Sequence, residues 1–231
     1  MIKDDEIKSL QYGHRERLRQ KFLDGKLTEY EILELLLTYA IPRRDVRLLA
    51  RQLLKKYGSI QRLLSEQFEM LIENEGIKKN TAIFLKVIGR LTELNFKCTL
   101  VDAPIFYNYE TLVNYCKLRL GGKTIEEFHA LYLDSQYKLI ADELHSSGTV
   151  SWAAVYVREI VKRALDLNAR NIILLHNHPT PRTSFSTEDT LITAELQSAA
   201  KSVQINLYDH LLVSGDLIYS MRNMGLLKDL K

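Results

Sequence analysis

Residues 171–189 read NIILLHNHPTPRTSFSTED, and this stretch decides the fold of the second half of the chain. The continuous apolar run Asn171–Leu175 is bounded by polar residues, which predicts a buried central strand. Predicted helices and further strands alternate on both sides of it. The second half is therefore expected to be an α/β domain with a mixed sheet.

The polar residues that follow this strand form a candidate metal site. Residues two apart in an extended chain point the same way, so His176 and His178 can converge on one point. A helix is predicted to open at Ser186, and its first turn can aim Asp189 back at both imidazoles. Two imidazoles and one carboxylate suit Zn²⁺, with a fourth position left to water as in catalytic zinc sites.

Each part of this pattern also has a simpler interpretation. Ser186 and Asp189 have the spacing of a capping box, and a histidine pair at a strand end is often only polar packing. The combination of strand, His-x-His-Pro, short loop and Ser-x-x-Asp favours the metal site. His210 has two open interpretations, a hydrogen-bond partner behind a ligand or a residue of the core.

The remaining elements of the second half are read from periodicity and turn residues. Strands are predicted over Phe128–Leu133, Lys138–Leu144, Ile205–Val213 and Leu217–Met221. Helices are predicted over Glu110–Leu120, Ala153–Leu167 and Ser186–Val203. Trp152, just before one of these helices, is interpreted as a packing anchor or a wall of the substrate groove.

The first hundred residues show helical periodicity. Helices are predicted over Glu29–Ala40, Arg43–Tyr57, Glu66–Glu73 and Lys79–Phe96, with a further short helix opening at Ser59. The stretch Cys98–Tyr109 contains Pro104 and loses periodicity, so it is interpreted as a linker. The prediction is an all-helical domain over residues 1–100 and a mixed-sheet α/β metal-binding domain over 101–231.

The composition excludes several classes of protein. With 46% hydrophobic and 26% charged residues among 231, the chain is not disordered, collagen-like or a coiled coil. It has no run of about 18 apolar residues, and its charged N-terminus is unlike a signal peptide, so no membrane association is expected. Cys98 and Cys116 are too few for a disulfide framework, which favours free thiols in a cytoplasmic protein.

These motifs support two resemblances, one of residues 171–189 and one of nearly the whole chain. Residues 171–189 resemble the JAMM motif of JAB/MPN metalloproteases, which is His-x-His-Pro followed by Ser-x-x-Asp. The whole chain from Gly13 onward resembles the bacterial RadC family. The landmarks that carry the second resemblance are Gly13–Arg19 (GHRERLR), Tyr30–Leu37 (YEILELLL), Ile41–Asp45 (IPRRD), Arg158-Glu159, His176–Pro179 (HNHP) and Asp209-His210.

The resemblance implies a JAB/MPN (cytidine-deaminase-like) fold and a zinc-dependent metallopeptidase that cleaves an amide or isopeptide bond of an unknown peptide or protein. His176, His178 and Asp189 stand at the zinc-ligand positions, and Ser186 stands where a serine supports the tetrahedral intermediate. Glu127 fits the general base that activates the zinc-bound water, with Glu126 as the alternative. Because side chains alternate along a strand, only one of these two acids can face the metal.

The helical half resembles a helix-hairpin-helix module, but Lys78 replaces the second glycine of its hairpin. A weak contact with DNA is one interpretation, through Lys78, Lys79 and Lys86 or through the strip Arg15, Arg17, Arg19 and Lys21. The alternatives are a surface hairpin and a solvated helix face. The second hypothesis for the whole chain is thus a DNA-associated repair or binding protein with a structural or vestigial metal site. The net charge is +5 over residues 1–100 and −2 over the rest. This difference is too small to indicate nucleic-acid binding by itself.

Overall fold

The computed structural model describes residues 4–148, 156–180, 184–215 and 217–227, with side chains throughout except at 4–12 and 106. Its internal contacts divide the chain into two compact units, one up to Gly89 and one from Arg90. This division falls inside a helix, whereas periodicity placed the domain boundary at residue 100, and that boundary stays a prediction. Trp152 and its proposed packing lie outside the described residues.

The chain up to residue 102 is helical, as predicted. Its helices are α1 (Asp4–Leu23), α2 (Glu29–Ala40), α3 (Arg47–Tyr57), α4 (Ile60–Ser65), α5 (Phe68–Ile72) and α6 (Lys79–Asp102). The start of α2 is fixed by a capping box between Thr28 and Glu31. Among the described helices of the whole chain, none combines the length and apolar character that crossing a bilayer requires.

Two helix boundaries differ from the prediction for identifiable reasons. Helix α3 begins at Arg47 rather than Arg43, because the Asp45 carboxylate accepts from both the backbone N–H and the guanidinium of Arg47 at 2.9 Å. Helix α6 continues to Asp102, so the first part of the predicted linker is helical. The fully buried side chain of Leu100 explains this extension, since it packs into the core of the second unit.

Two of the basic residues considered as DNA contacts make hydrogen bonds to the protein's own backbone, and contact with DNA stays a prediction. The Arg15 guanidinium donates to the carbonyl of Arg44 at 2.7 Å, beyond the end of α2. The Lys86 ammonium donates to the carbonyl of Glu66 at 2.6 Å, where α4 ends. Lys86 thus satisfies a carbonyl group that the end of α4 leaves without an intrahelical partner, while Arg15 binds the turn that follows α2.

The second unit is built around a five-stranded mixed sheet, which confirms the predicted fold class. After α7 (Tyr109–Leu120) its elements are β1 (Glu126–Leu133), β2 (Leu139–Gly148), α8 (Val157–Asp166), β3 (Asn171–Asn177), α9 (Thr187–Ser202), β4 (Asn206–Ser214) and β5 (Leu217–Ser220). The strand order is β2-β1-β3-β4-β5, with β3 and β4 parallel and the other pairs antiparallel. Strand β3 lies at the centre, and all seven of its residues are buried.

The sheet has a core on each face, and the alternation of side chains along the strands assigns residues to them. On one face Leu174 and Phe128 pack with residues of α8 and α9. On the other face Leu175 and Leu131 pack with residues of α7. The first is called the α9 face and the second the α7 face below.

A buried ionic cluster is built into the α7 face. His129, which is fully buried, lies between two carboxylates, with Nδ1 2.8 Å from Asp142 and Nε2 3.2 Å from Glu127. Glu127 also pairs with Lys123 at 2.9 Å, and Asp142 with Arg119 at 3.4 Å. Although burial raises the pKa of Asp142, its hydrogen bond and charge interaction with His129 outweigh this and lower that pKa to about 2.

Asp142→Asn should lower the free energy of unfolding at neutral pH by about 3 kcal/mol, because His129 and Arg119 each lose the nearer of their two carboxylates. A folded-state pKa of about 2, below the ordinary 3.8, means that the stabilisation is present above pH 4 and is lost as the pH falls towards 2. Denaturant titrations over this range should show the difference from wild type shrinking with acid. The exposed Asp102→Asn is the control, and an equal loss there would contradict the assignment.

Candidate metal centre

The structure brings the three predicted ligands together on the α9 face. The Nε2 atoms of His176 and His178 lie 3.2 Å apart. Asp189 Oδ1 lies 3.2 Å from His176 Nε2, and Asp189 Oδ2 lies 3.6 Å from His178 Nε2. Ligand atoms about 2.1 Å from a tetrahedral zinc lie about 3.4 Å from one another, and the separations of His176 Nε2 from His178 Nε2 and from Asp189 Oδ1 are close to this value.

The first turn of α9 holds Asp189 in place through a complete capping box. The Asp189 backbone N–H donates to Ser186 Oγ at 3.0 Å, and Asp189 Oδ2 accepts from the Ser186 N–H at 2.7 Å. The Ser186 hydroxyl also donates to Asp189 Oδ2 at 2.8 Å. Capping and convergence on the histidines, which the sequence offered as alternatives, therefore occur together. The role of Ser186 towards a reaction intermediate stays a prediction.

Hydrogen bonds behind His176 determine which of its nitrogens carries the proton. The Thr193 hydroxyl donates to the Asp189 carbonyl, so towards His210 Nδ1, 2.6 Å away, it acts as the acceptor. Burial lowers the pKa of His210 and keeps it neutral, so its Nε2 has no proton. That Nε2 accepts from His176 Nδ1 at 2.8 Å, so Nδ1 carries a proton and Nε2 is the nitrogen directed at Asp189 and His178.

The electrostatics of this arrangement fit a cation. Burial raises the pKa of Asp189, but its hydrogen bonds with the two histidines outweigh this and hold that pKa far below its ordinary value. The ionised Asp189 Oδ1 lies 3.2 Å from His176 Nε2. A carboxylate and two imidazole nitrogens grouped in this way form a donor set that a divalent ion could bind.

The acid that faces the histidines is Glu126, which the sequence analysis named as the alternative to Glu127, and the identity of the general base stays a prediction. A carboxylate oxygen of the exposed Glu126 and ring nitrogens of His176 and His178 all lie within 4.8 Å of one another, a grouping able to hold a metal ion. Glu127 is one residue further along β1, so its side chain lies on the α7 face, bound to Lys123 and His129. The sequence motif did not distinguish the two acids, whereas the register of β1 does.

Two residues near this site were missed by the sequence analysis. Thr193 lies one turn after Asp189 on α9 and orients His210, and its i+4 spacing from a ligand was the available signal. Asn177 lies between the two histidines in the sequence. The residue is 2% exposed, and its side chain lies on the α7 face. Its position inside His-x-His was visible, but the backbone groups it binds are about fifty residues away in the chain and left no local signal.

The fold and the site define a JAB domain with a candidate metal centre. Residues 106–226 match the family model for the RadC-like JAB domain. The chain is 36% identical over 225 residues to UPF0758 protein FN0909 of Fusobacterium nucleatum, with 93% of this chain and 97% of that protein covered. It is 37% identical over 217 residues to UPF0758 protein SPO0054 of Ruegeria pomeroyi, with the same coverage. The chain therefore belongs to the RadC family.

Thr193→Val should lower the affinity of this site for added zinc about tenfold or more, because His210 loses the hydrogen bond that orients it and is itself the partner that orients His176. Competition with a chromophoric chelator would measure this. The matched control is Thr190→Val on the same helix, whose exposed hydroxyl donates to the Ser186 carbonyl at 3.1 Å. Equal zinc affinity in the two variants would contradict the orienting role of Thr193.

Proposed function

We propose that this chain is a zinc-dependent hydrolase that cleaves an amide or isopeptide bond in a peptide or protein. The observation that carries the proposal is the convergence of two imidazole nitrogens, a capped carboxylate and the exposed carboxylate of Glu126 at one end of the sheet. Membership of a JAB-domain family is consistent with hydrolysis, although the names of the relatives specify no activity.

In this proposal His176, His178 and Asp189 hold the ion. When bound, zinc would supply a Lewis acid that makes water more acidic and polarises a carbonyl group. Glu126 takes a proton from the attacking water and returns it to the leaving nitrogen. Its exposure suits this role, because water and substrate have to reach it. Ser186 keeps Asp189 fixed through the capping box.

Glu127 is unsuited to the same role because it already has partners. Burial raises its pKa, but hydrogen bonds with Lys123 and His129 outweigh this and lower the pKa below its ordinary value. A carboxylate held ionised by two partners on the opposite face of the sheet has neither the basicity nor the access that proton transfer at the metal requires.

Glu126→Gln should retain about one zinc per chain and lose hydrolytic activity about 100-fold or more, because the ligands remain while the proton acceptor is gone. Glu127→Gln is the matched control and should keep most of the activity. Zinc is counted by mass spectrometry, and hydrolysis by amine release from a mixture of peptides and ε-linked isopeptides. Equal activity in Glu126→Gln and wild type would contradict the proposal.

Asp189→Ala should abolish stoichiometric zinc binding, because it removes a ligand and leaves only the histidines and the exposed Glu126. The same variant also loses the two hydrogen bonds that Asp189 Oδ2 accepts from Ser186, so its free energy of unfolding should fall by about 1 kcal/mol. Metal analysis after dialysis and a denaturant titration measure the two effects. A protein that still carries one zinc per chain would rule out Asp189 as a ligand.

A further inference from the structure

We infer that Asn177, the residue between the two histidines, is a positioning residue that holds Glu126 at a fixed place relative to the ligands. This inference rests on the proposed function, because it assigns a role to Glu126. Asn177 is the last residue of β3 and is buried on the α7 face, away from the metal centre. It therefore acts through the backbone of β1.

The Asn177 carboxamide makes one hydrogen bond to the backbone on each side of Glu126. Its Oδ1 accepts from the N–H of Glu127 at 2.9 Å, and its Nδ2 donates to the carbonyl of Ile125 at 3.0 Å. The orientation of the amide is determined by its partners, since a backbone N–H can only donate and a carbonyl can only accept. The backbone on both sides of Glu126 is thereby tied to the residue that joins the two histidines.

These two bonds matter because, at Glu126, β1 is paired with β2 on one edge but no longer with β3 on the other. The ladder between β1 and β3 has its last pair at Phe128 and His176. Beyond that pair β3 keeps its pairing with β4 alone, and the His178 N–H donates to the Val213 carbonyl at 3.0 Å. The Asn177 side chain thus supplies, between β1 and β3, the link that backbone pairing no longer provides at Glu126.

The consequence is a division of roles within His-Asn-His. The two histidines point to one face and hold the ion, while the residue between them points to the other face and holds the strand that carries the proton acceptor. Proton transfer requires the acceptor to be placed within hydrogen-bond reach, and displacements of about 1 Å are costly. A rigid tie of two hydrogen bonds from the same short segment meets that requirement.

The strand offers a matched control at its opposite end. Asn171, the first residue of β3, is 4% exposed and also makes two side-chain hydrogen bonds. Its Nδ2 donates to the Asp134 carbonyl at 2.8 Å, and its Oδ1 accepts from Asn206 at 3.1 Å. Asn171→Ala therefore removes a comparable buried amide from the same strand without touching Glu126.

The test is a pH titration of the visible absorption of the full-length protein loaded with Co²⁺, for wild type, Glu126→Gln, Asn177→Ala, Asn171→Ala and the double variant Glu126→Gln/Asn177→Ala. No substrate is needed, since the spectrum reports protonation around the ion.

Asn177→Ala is expected to shift the midpoint of this titration in the same direction as Glu126→Gln. The double variant is expected to shift it no further than Glu126→Gln alone, because both changes remove one interaction. Asn171→Ala should leave it unchanged.

The contrary outcomes separate the two proposals. If Glu126→Gln leaves the midpoint unchanged, the proposed role of Glu126 falls, and the inference falls with it. If Glu126→Gln shifts the midpoint while Asn177→Ala behaves like Asn171→Ala, or the effects of Glu126→Gln and Asn177→Ala simply add, only the inference falls. Should the alanine variant not fold, Asn177→Ser and Asn171→Ser replace the alanine pair, since serine keeps a hydroxyl without adding charge.

Discussion

The alternation of side chains along two neighbouring strands is the constraint on which this site depends. On β3 it sends His176 and His178 to the α9 face and Asn177 to the α7 face. On β1 it separates two adjacent acids in the same way, so that Glu126 faces the histidines and Glu127 joins the buried ionic cluster with His129. A shift of one residue in either strand would exchange these sets completely.

Helix α9 adds the third ligand through an interaction that is itself local. The capping box between Ser186 and Asp189 forms within one turn and orients the carboxylate before any distant contact is needed. Behind the histidines, Thr193 and His210 connect the same helix to β4 and settle the tautomer of His176. The candidate centre is thus supported by β3, β4 and α9, and hydrogen bonds fix the directions of the His176 and Asp189 side chains.

The features predicted from the sequence were those with local causes. Strand β3, the cap at Ser186 and the His-x-His spacing are encoded in 19 consecutive residues, and the alternating pattern around them gave the α/β class. The faces of Glu126 and Glu127 could not be assigned from the sequence, because two like residues at a strand entry carry no periodic signal and only pairing with neighbouring strands sets the register. The end of α6 was missed because Leu100 is held by tertiary packing, which overrides weak local propensity.

The capping box also has a consequence for how Asp189 can bind an ion. Its Oδ2 already accepts two hydrogen bonds from Ser186, at 2.7 and 2.8 Å, whereas Oδ1 is the atom nearest His176. In the proposed site one oxygen would belong to the helix end and the other to the metal, so the carboxylate would bind through Oδ1 alone. Chelation by both oxygens would have to break the cap. The helix end would thus limit the coordination number and leave room at the ion for water or substrate.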